Sequence, residues 1–158
     1  MAVLYAEPLG WTSFGVRILS GDEELTQLMV SAFKRKGSFE LDGEAFTIEP
    51  EGFFRSNAVL KKGISTLAKV TKPSFLRRRF EISSAGHRLV LESRAWTGRE
   101  YVLLLGSQEV GRVKREGLSG RKLLLEFPDD VPMFLQVLLA YVVVSQAKRE
   151  AAAAASGG

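Results

Sequence analysis

The feature of this sequence that most constrains its fold is an apolar run near the C-terminal end that leaves no side for water. From Val131 to Val144 the only polar groups are the amide of Gln136 and the hydroxyl of Tyr141. A helix that is apolar all round is stable only when it is buried on all sides. The run holds fourteen residues, whereas a bilayer core needs about 20. We therefore predict a buried helix and no transmembrane span.

The flanks of this run indicate where the helix begins and ends. Asp129 or Asp130 is expected as the N-cap, with Pro132 in the first turn, where a missing N–H costs nothing. The predicted helix covers about 130–150. A low-complexity tail follows over residues 151–158, which either prolongs the helix or frays.

The rest of the chain has the pattern of β-hairpins. In the clearest one, Phe39 and Leu41 share one face, and Asp42-Gly43 supplies the positive φ angles of a two-residue turn. Similar stretches recur along the chain and give ten to twelve strands. The repetition is one of hairpins and not of sequence, so a solenoid is not indicated.

The hairpins and the apolar helix together predict one architecture. An eight-stranded barrel is filled by its own side chains, so a helix about 10 Å across needs a larger one. We predict a mainly β fold, a closed antiparallel β-barrel of about twelve strands enclosing a hydrophobic C-terminal α-helix. It forms a single domain over residues 1–150.

The glycine-turn hairpins, the arginine-rich strand at 77–82 and the Phe127-Pro128-Asp129-Asp130 segment before the helix resemble the tubby C-terminal-like superfamily. That group includes phospholipid scramblases and the plant LURP-one-related proteins. The resemblance is one of pattern over residues 1–150, and it implies a closed twelve-stranded barrel around a hydrophobic C-terminal helix. It also implies binding of phosphoinositide headgroups through basic residues on the barrel, as in tubby proteins. The chain lacks the palmitoylated cysteines and the proline-rich N-terminus of scramblases, which argues against scramblase activity.

The most distinctive functional feature is a basic stretch between Glu51 and Glu81 that contains no acidic residue. Its cations are Arg55, Lys61, Lys62, Lys69, Lys72, Arg77, Arg78 and Arg79. The predicted ligand-binding residues are Lys61, Lys62, Lys69, Lys72, Arg77 and Arg79. Such a cluster can attract an anionic headgroup. The alternative is that these cations are solvated and protect strand edges, and strand alternation points Arg78 away from its two arginine neighbours.

The sequence shows no catalytic constellation. His87 is the lone histidine and there is no cysteine, so we expect an exposed turn residue there and neither a metal site nor a cofactor. Trp11 and Trp96 are expected to seal the barrel ends or fill the core.

We therefore predict a non-catalytic binding module for anionic phospholipid or phosphoinositide headgroups. The alternative is a protein-interaction or scaffold domain with an unknown partner and no lipid binding. Nucleic-acid binding ranks last, because the basic stretch offers only Phe75 and Phe80 as interleaved aromatic residues. The absence of cysteine suits a reducing cytoplasm, so we expect a cytoplasmic protein that reaches the membrane peripherally.

Overall fold

The computed structural model describes residues 2–10, 15–31, 36–52, 57–73, 77–94, 98–117 and 121–156. The strands are β1 Ala2–Pro8, β2 Val16–Ser20, β3 Glu23–Val30, β4 Gly37–Leu41, β5 Glu44–Pro50, β6 Ala58–Lys62, β7 Ser65–Thr71, β8 Arg79–Ser84, β9 His87–Ser93, β10 Glu100–Leu105, β11 Gln108–Glu116 and β12 Lys122–Phe127, and helix α1 covers Met133–Ser156. Each strand pairs antiparallel with the next, and β1 pairs with β12 to close the barrel. The predicted twelve-stranded barrel with one C-terminal helix is confirmed.

Strand alternation directs one face of each strand toward the helix. In β5, Phe46 and Ile48 are buried, whereas Thr47 between them is exposed. On the helix, all nine residues from Leu135 to Val143 are buried. The helix therefore has no solvent-exposed face along this stretch, as its apolar sequence predicted. The barrel strands surround it on all sides.

The two ends of the barrel are built differently. At one end, which we call the turn end, adjacent strands are joined by two-residue turns at 21–22, 42–43, 63–64, 85–86 and 106–107. Asp42 has a φ of 51° and Gly43 a φ of 79°, which are the paired positive angles predicted for a type I′ turn. At the opposite end the connections between strands are longer. The helix starts beside the turn end and runs toward the longer connections, so we call this second end the helix-exit end.

The predicted start of the helix needs correction. The helix begins at Met133 and not near residue 130. The carbonyl of Pro132 accepts hydrogen bonds from the N–H groups of Leu135 and Gln136, so Pro132 occupies the N-cap position and neither aspartate does. Asp129 and Asp130 instead lie in a turn that closes from the Val131 N–H to the Pro128 carbonyl, at 3.1 Å.

At its other end the helix runs beyond residue 150 to Ser156. Residues 151–156 of the predicted tail are helical and exposed, which is the extension of the helix that the sequence left open. Alanine has the highest helix propensity, so this segment continues the helix without packing against the barrel.

The hairpins repeat with a period of 42 to 43 residues, although no sequence repeat was predicted. The turn glycines Gly21, Gly63 and Gly106 follow one another at intervals of 42 and 43 residues, and each has a positive φ. In each of these hairpins the pairing register shifts at the same place, between Ile18/Leu19, Leu60/Lys61 and Leu103/Leu104. The barrel thus consists of three similar four-strand units: β2–β5, β6–β9, and β10–β12 completed by β1.

The longer connections follow the same threefold pattern. After the last strand of each unit, a backbone N–H bonds to a carbonyl six residues later. The three bonds are Leu9 N to Gly15 O at 3.0 Å, Glu51 N to Asn57 O at 2.9 Å and Arg94 N to Glu100 O at 2.9 Å. Equivalent positions in the three units can therefore be compared directly, and a difference between them points to something other than the needs of the fold.

Within the described ranges, no helix combines the length and the apolar character that crossing a bilayer requires.

Candidate functional site

Four of the six predicted ligand-binding residues lie on the outer wall of the barrel, and each forms an ion pair with a glutamate. The pairs are Lys61 with Glu49 at 3.2 Å, Lys62 with Glu44 at 3.0 Å, Lys69 with Glu51 at 3.8 Å and Arg79 with Glu92 at 2.7 Å. Three of these glutamates lie on the strand next to that of their partner, and Glu51 follows β5, two strands from β7. All four lie outside the basic stretch. The outer wall is therefore much closer to neutral than the stretch alone suggested.

The two remaining residues differ from these four and from each other. Arg77 is exposed on the connection that leads into β8. Lys72 follows β7 directly and reaches toward the helix, where its Nζ lies 3.4 Å from Oε1 of Gln146. The structure does not bring the six predicted residues together on one surface. Arg55 of the basic stretch lies outside the described residues.

A second group of cations converges on the helix at the helix-exit end. Arg78 lies two residues before the buried Phe80, and Arg115 lies two residues after the buried Val113. Side chains two apart on a strand share a face, so both arginines are directed inward at the rim of the barrel. Lys72 stands in the same relation to the buried Val70.

Two of these cations, Arg78 and Arg115, meet the carboxylate of Glu150 on the helix. Arg78 donates a hydrogen bond from Nε to Oε1 of Glu150, and Arg115 Nη1 lies 3.8 Å from Oε2 of the same residue. The side chains of Arg78, Glu150 and Arg115 are 30%, 27% and 16% exposed, so the group is partly desolvated but open to solvent. We call Lys72, Arg78, Arg115, Arg149 and Glu150 the exit-end cluster.

The pKa of Lys72 reflects the burial and the charges within this cluster. Its backbone N–H bonds to Oδ1 of Asn57 at 3.1 Å, and its Nζ lies 5.5 Å from the centroid of the Phe80 ring. Burial lowers the pKa of Lys72 from its ordinary value, and the nearby charge of Arg149 lowers it further, against the opposite effect of Glu150. A lysine held in this way is stabilised by an added anion.

Gly98 provides the surface on which Arg78 rests. A Cβ at this position would lie 2.9 Å from Nε of Arg78, and Gly98 has a φ of +66°. Its carbonyl accepts a hydrogen bond from Nη1 of Arg115 at 3.3 Å. The connection between β9 and β10 therefore positions both arginines, and only glycine fits there without strain.

Tyr101 forms the buried wall beneath the cluster. It is 1% exposed. Burial raises the pKa of Tyr101 to about 12, and the carboxylate of Glu150 acts in the same direction. The phenol therefore stays neutral at physiological pH, and it adds no negative charge to the group above it.

The threefold repeat shows which of these cations the barrel needs. Lys72 and Arg115 occupy equivalent positions in the second and third units, and the first unit has Val30 there. Because an apolar residue serves one unit, the fold does not require a cation at this position.

Arg78 has an equivalent in Arg121, which also lies just before its strand. Arg121 donates from Nη2 to the backbone carbonyl of Gly10 at 2.8 Å, and so ties together two connections of the barrel. Arg78 also extends across the rim, but its guanidinium group donates a hydrogen bond to the carboxylate of Glu150. The same framework position thus has a backbone partner in one unit and a helix carboxylate in another.

Sequence reasoning missed Arg115, Arg149 and Glu150, and did not include Arg78 among the binding residues. Strand alternation did separate Arg78 from Arg77 and Arg79, and that separation is present. A comparison of the chain with itself at a shift of 43 residues would have paired Lys72 with Arg115. No local sequence pattern indicates that Glu150, in the last third of the helix, contacts both Arg78 and Arg115.

Of the remaining sequence candidates, His87 lies within the described residues. His87 is exposed at the first residue of β9, next to the turn. In the part of the chain that the structure describes, no group of three or more histidine, aspartate or glutamate side chains could hold a metal ion. Trp11, Trp96 and Phe75 lie outside the described residues.

No family model matches this chain, and neither a curated protein nor a solved structure matches it. The resemblance to the tubby C-terminal-like superfamily therefore stays a prediction.

Proposed function

We propose that this chain is a non-catalytic binding module that docks on anionic phospholipid headgroups through its helix-exit end. The observation that carries the proposal is the inward convergence of Lys72, Arg78 and Arg115 at one rim, with Arg149 and the carboxylate of Glu150 beside them. Guanidinium groups recognise phosphate oxygens through paired hydrogen bonds.

Partial burial supports the exit-end cluster over the outer wall as the place of binding. An exposed ion pair is screened by salt and contributes about 0–1 kcal/mol, and the outer-wall cations already have such pairs. The cations at the rim share a less hydrated environment, in which attraction to an added anion is stronger than in bulk water. The charges of one rim can also engage a flat lipid surface together.

The proposal is tested by co-sedimentation of the full chain with phosphatidylcholine vesicles, with and without a phosphatidylinositol bisphosphate. We expect binding only to the anionic vesicles and a decrease with added salt, because charge attraction is screened over about 10 Å at 0.1 M ionic strength. The variants R78Q and R115Q should each weaken binding by about fivefold, the effect of one cation near a membrane surface.

The matched controls are K61Q and K62Q, which remove the same charge from the outer wall. Both should bind almost as the unaltered chain does. Equal losses in all four variants would indicate attraction by net charge alone and would remove the site from the proposal. No binding to anionic vesicles at low salt would refute the proposal and favour a protein-interaction or scaffold domain.

A further inference from the structure

The turn end of the barrel is where the half-buried apolar side chains of the described chain concentrate. Nine such residues pack against the core, and two of them, Val30 and Val144, lie toward the helix-exit end. The other seven surround the first turn of the helix, and we call them the apolar mouth: Leu25, Leu41, Leu67, Val110, Val131, Met133 and Phe134. The turn end therefore presents an apolar patch to solvent.

The repeat contributes three residues of the apolar mouth from one position. The register shift in each unit leaves one residue of β3, β7 or β11 unpaired with the neighbouring strand, and these residues are Leu25, Leu67 and Val110. The extra residue of a β-bulge bends its strand and redirects a side chain. All three units thus place an apolar side chain at this end.

Ile64 adds a fully exposed apolar side chain to the same end. It is the second residue of the turn at 63–64. The equivalent residues of the other two units are Asp22 and Ser107, so the turn itself does not require an apolar residue. Leu105, at the end of β10, is exposed as well. Contiguous apolar surface of this kind is typical of a protein–protein contact.

The charges around this patch are divided between two units. The turns of the first unit carry the exposed acidic residues Asp22, Glu23 and Asp42, whereas β9 of the second unit begins with the exposed residues His87 and Arg88. No ion pair of the described residues includes Glu23 or Arg88. A second copy of the chain can therefore supply the opposite charge to each.

We propose that two copies of this chain associate end to end through their turn ends, about a twofold axis that passes between the first and second units. Such an axis sets the first unit of each copy opposite the second unit of the other. Arg88 of one copy then faces Asp22 and Glu23 of the other, and Ile64 faces the turn at 42–43. Both contacts occur twice, because a twofold interface uses the same surface of each copy.

The size of the barrel end fits this contact. A closed sheet of twelve strands is about 30 Å across with its side chains, so that one end covers about 700 Å². Two facing ends then bury about 1,400 Å², and stable interfaces bury about 1,200–2,000 Å². The two helix-exit ends point in opposite directions and stay free, so the inference does not depend on the proposed function.

The association is tested by sedimentation velocity of the full chain at concentrations up to the millimolar range. We expect a monomer–dimer equilibrium. The variant R88E should weaken the dimer at least about tenfold, because it sets like charges opposite each other twice. The double variant E23R/R88E exchanges the two charges within one chain and should restore most of the lost affinity.

The apolar part of the contact is tested by I64S, which introduces the residue of the third unit and should weaken the dimer at least about tenfold. The matched controls are R77E, which reverses a charge at the helix-exit end, and M29S, which removes an exposed apolar side chain from the outer wall. Both should dimerise as the unaltered chain does.

Three results would overturn the inference. They are an unaltered chain that is monomeric at every concentration, equal losses of affinity in R88E and R77E, and a double variant that dimerises no more tightly than R88E. Circular dichroism and urea unfolding of each variant distinguish these results from a folding defect.

Discussion

The two ends of this barrel differ in the side chains that fill them. At the turn end, Phe39 and Phe46 stack with ring centroids 5.0 Å apart, and Phe134 of the helix stacks on Phe46 at 6.1 Å. Two-residue turns close the strands around them. At the helix-exit end the equivalent interior space is lined by charges around Glu150. One end is thus completed by apolar packing and the other by a polar cluster that the fold alone does not require.

The difference indicates that the turn end mainly stabilises the barrel, whereas the helix-exit end is available for binding. Aromatic packing at the turn end gives each side chain several kilocalories per mole of stabilisation. At the helix-exit end, the equivalent positions Val30, Lys72 and Arg115 differ in charge while the strands keep the same pairing. The barrel therefore tolerates a change of charge at this position. Binding residues are therefore expected where stability is least affected by their chemistry.

The strongest test of this separation is the variant F46A at the turn end. Phe46 is 5% exposed, and its removal leaves a cavity between two aromatic rings, so we expect a loss of about 3–5 kcal/mol in the free energy of unfolding in urea. The variant F46L introduces the residue found at the equivalent positions, Leu4 and Leu89, and should lose less. Unchanged vesicle binding by folded F46A would support the comparison, and a large binding defect would break it.

A second test concerns the packing of the third unit near the turn end. The equivalent interior positions are Thr26, Ala68 and Gly111. A Cβ at Gly111 would lie 2.6 Å from Cδ1 of Phe127 and 2.7 Å from the carbonyl oxygen of Glu126. The variant G111A should therefore lose about 1–3 kcal/mol of stability through overpacking, measured by urea unfolding. An unaltered unfolding midpoint would show that Phe127 can move aside.

A third test moves to the helix-exit end with the variant G98A. The positive φ of Gly98 disfavours any side chain, at a cost of about 1–2 kcal/mol, and the new methyl group would collide with Arg78. Binding to phosphatidic acid vesicles should fall as it does in R78Q. The comparison between the ends would be weakened if G98A lost stability but bound these vesicles as tightly as the unaltered chain.

The smallest expected effect is a dependence of binding on pH. Burial and the charge of Arg149 lower the pKa of Lys72 below its ordinary value of 10.5, so Lys72 loses its charge before an exposed lysine does as the pH rises. Affinity for anionic vesicles should therefore decline between neutral pH and about pH 10. The neighbouring Tyr101, with a pKa of about 12, stays neutral over this range.

The control for this measurement is K72R, because arginine keeps its charge throughout. The decline should be shallower in K72R than in the unaltered chain. An identical decline in both would assign the titration to groups outside the exit-end cluster.

Local patterns were sufficient for most of the fold. The Asp42-Gly43 turn and the alternation of Phe80 and Ile82 are properties of a few adjacent residues, and the structure contains both. The helix start was predicted three residues early, because Asp129 and Asp130 fit the composition of a cap while the Pro132 carbonyl takes the first hydrogen bonds. Capping is decided by backbone geometry, which composition only approximates.

The binding residues were harder to predict, because charge along the chain differs from charge in space. Lys61, Lys62 and Lys69 stand in a basic run of sequence but are opposed by glutamates of the neighbouring strand or connection. Cross-strand partners follow from register, and a run of like charge says nothing about register.

By itself, the sequence determined that an apolar helix had to be enclosed by many short strands, since no other arrangement hides its whole circumference from water. Only the tertiary structure decided that Lys72, Arg78 and Arg115 would face one carboxylate, because barrel closure and register bring β7, β8 and β11 to the same rim around Glu150. The burial of the helix depends on the hydrophobicity of its own residues, which the sequence gives directly. The convergence of the three cations depends on how strands distant in sequence are aligned.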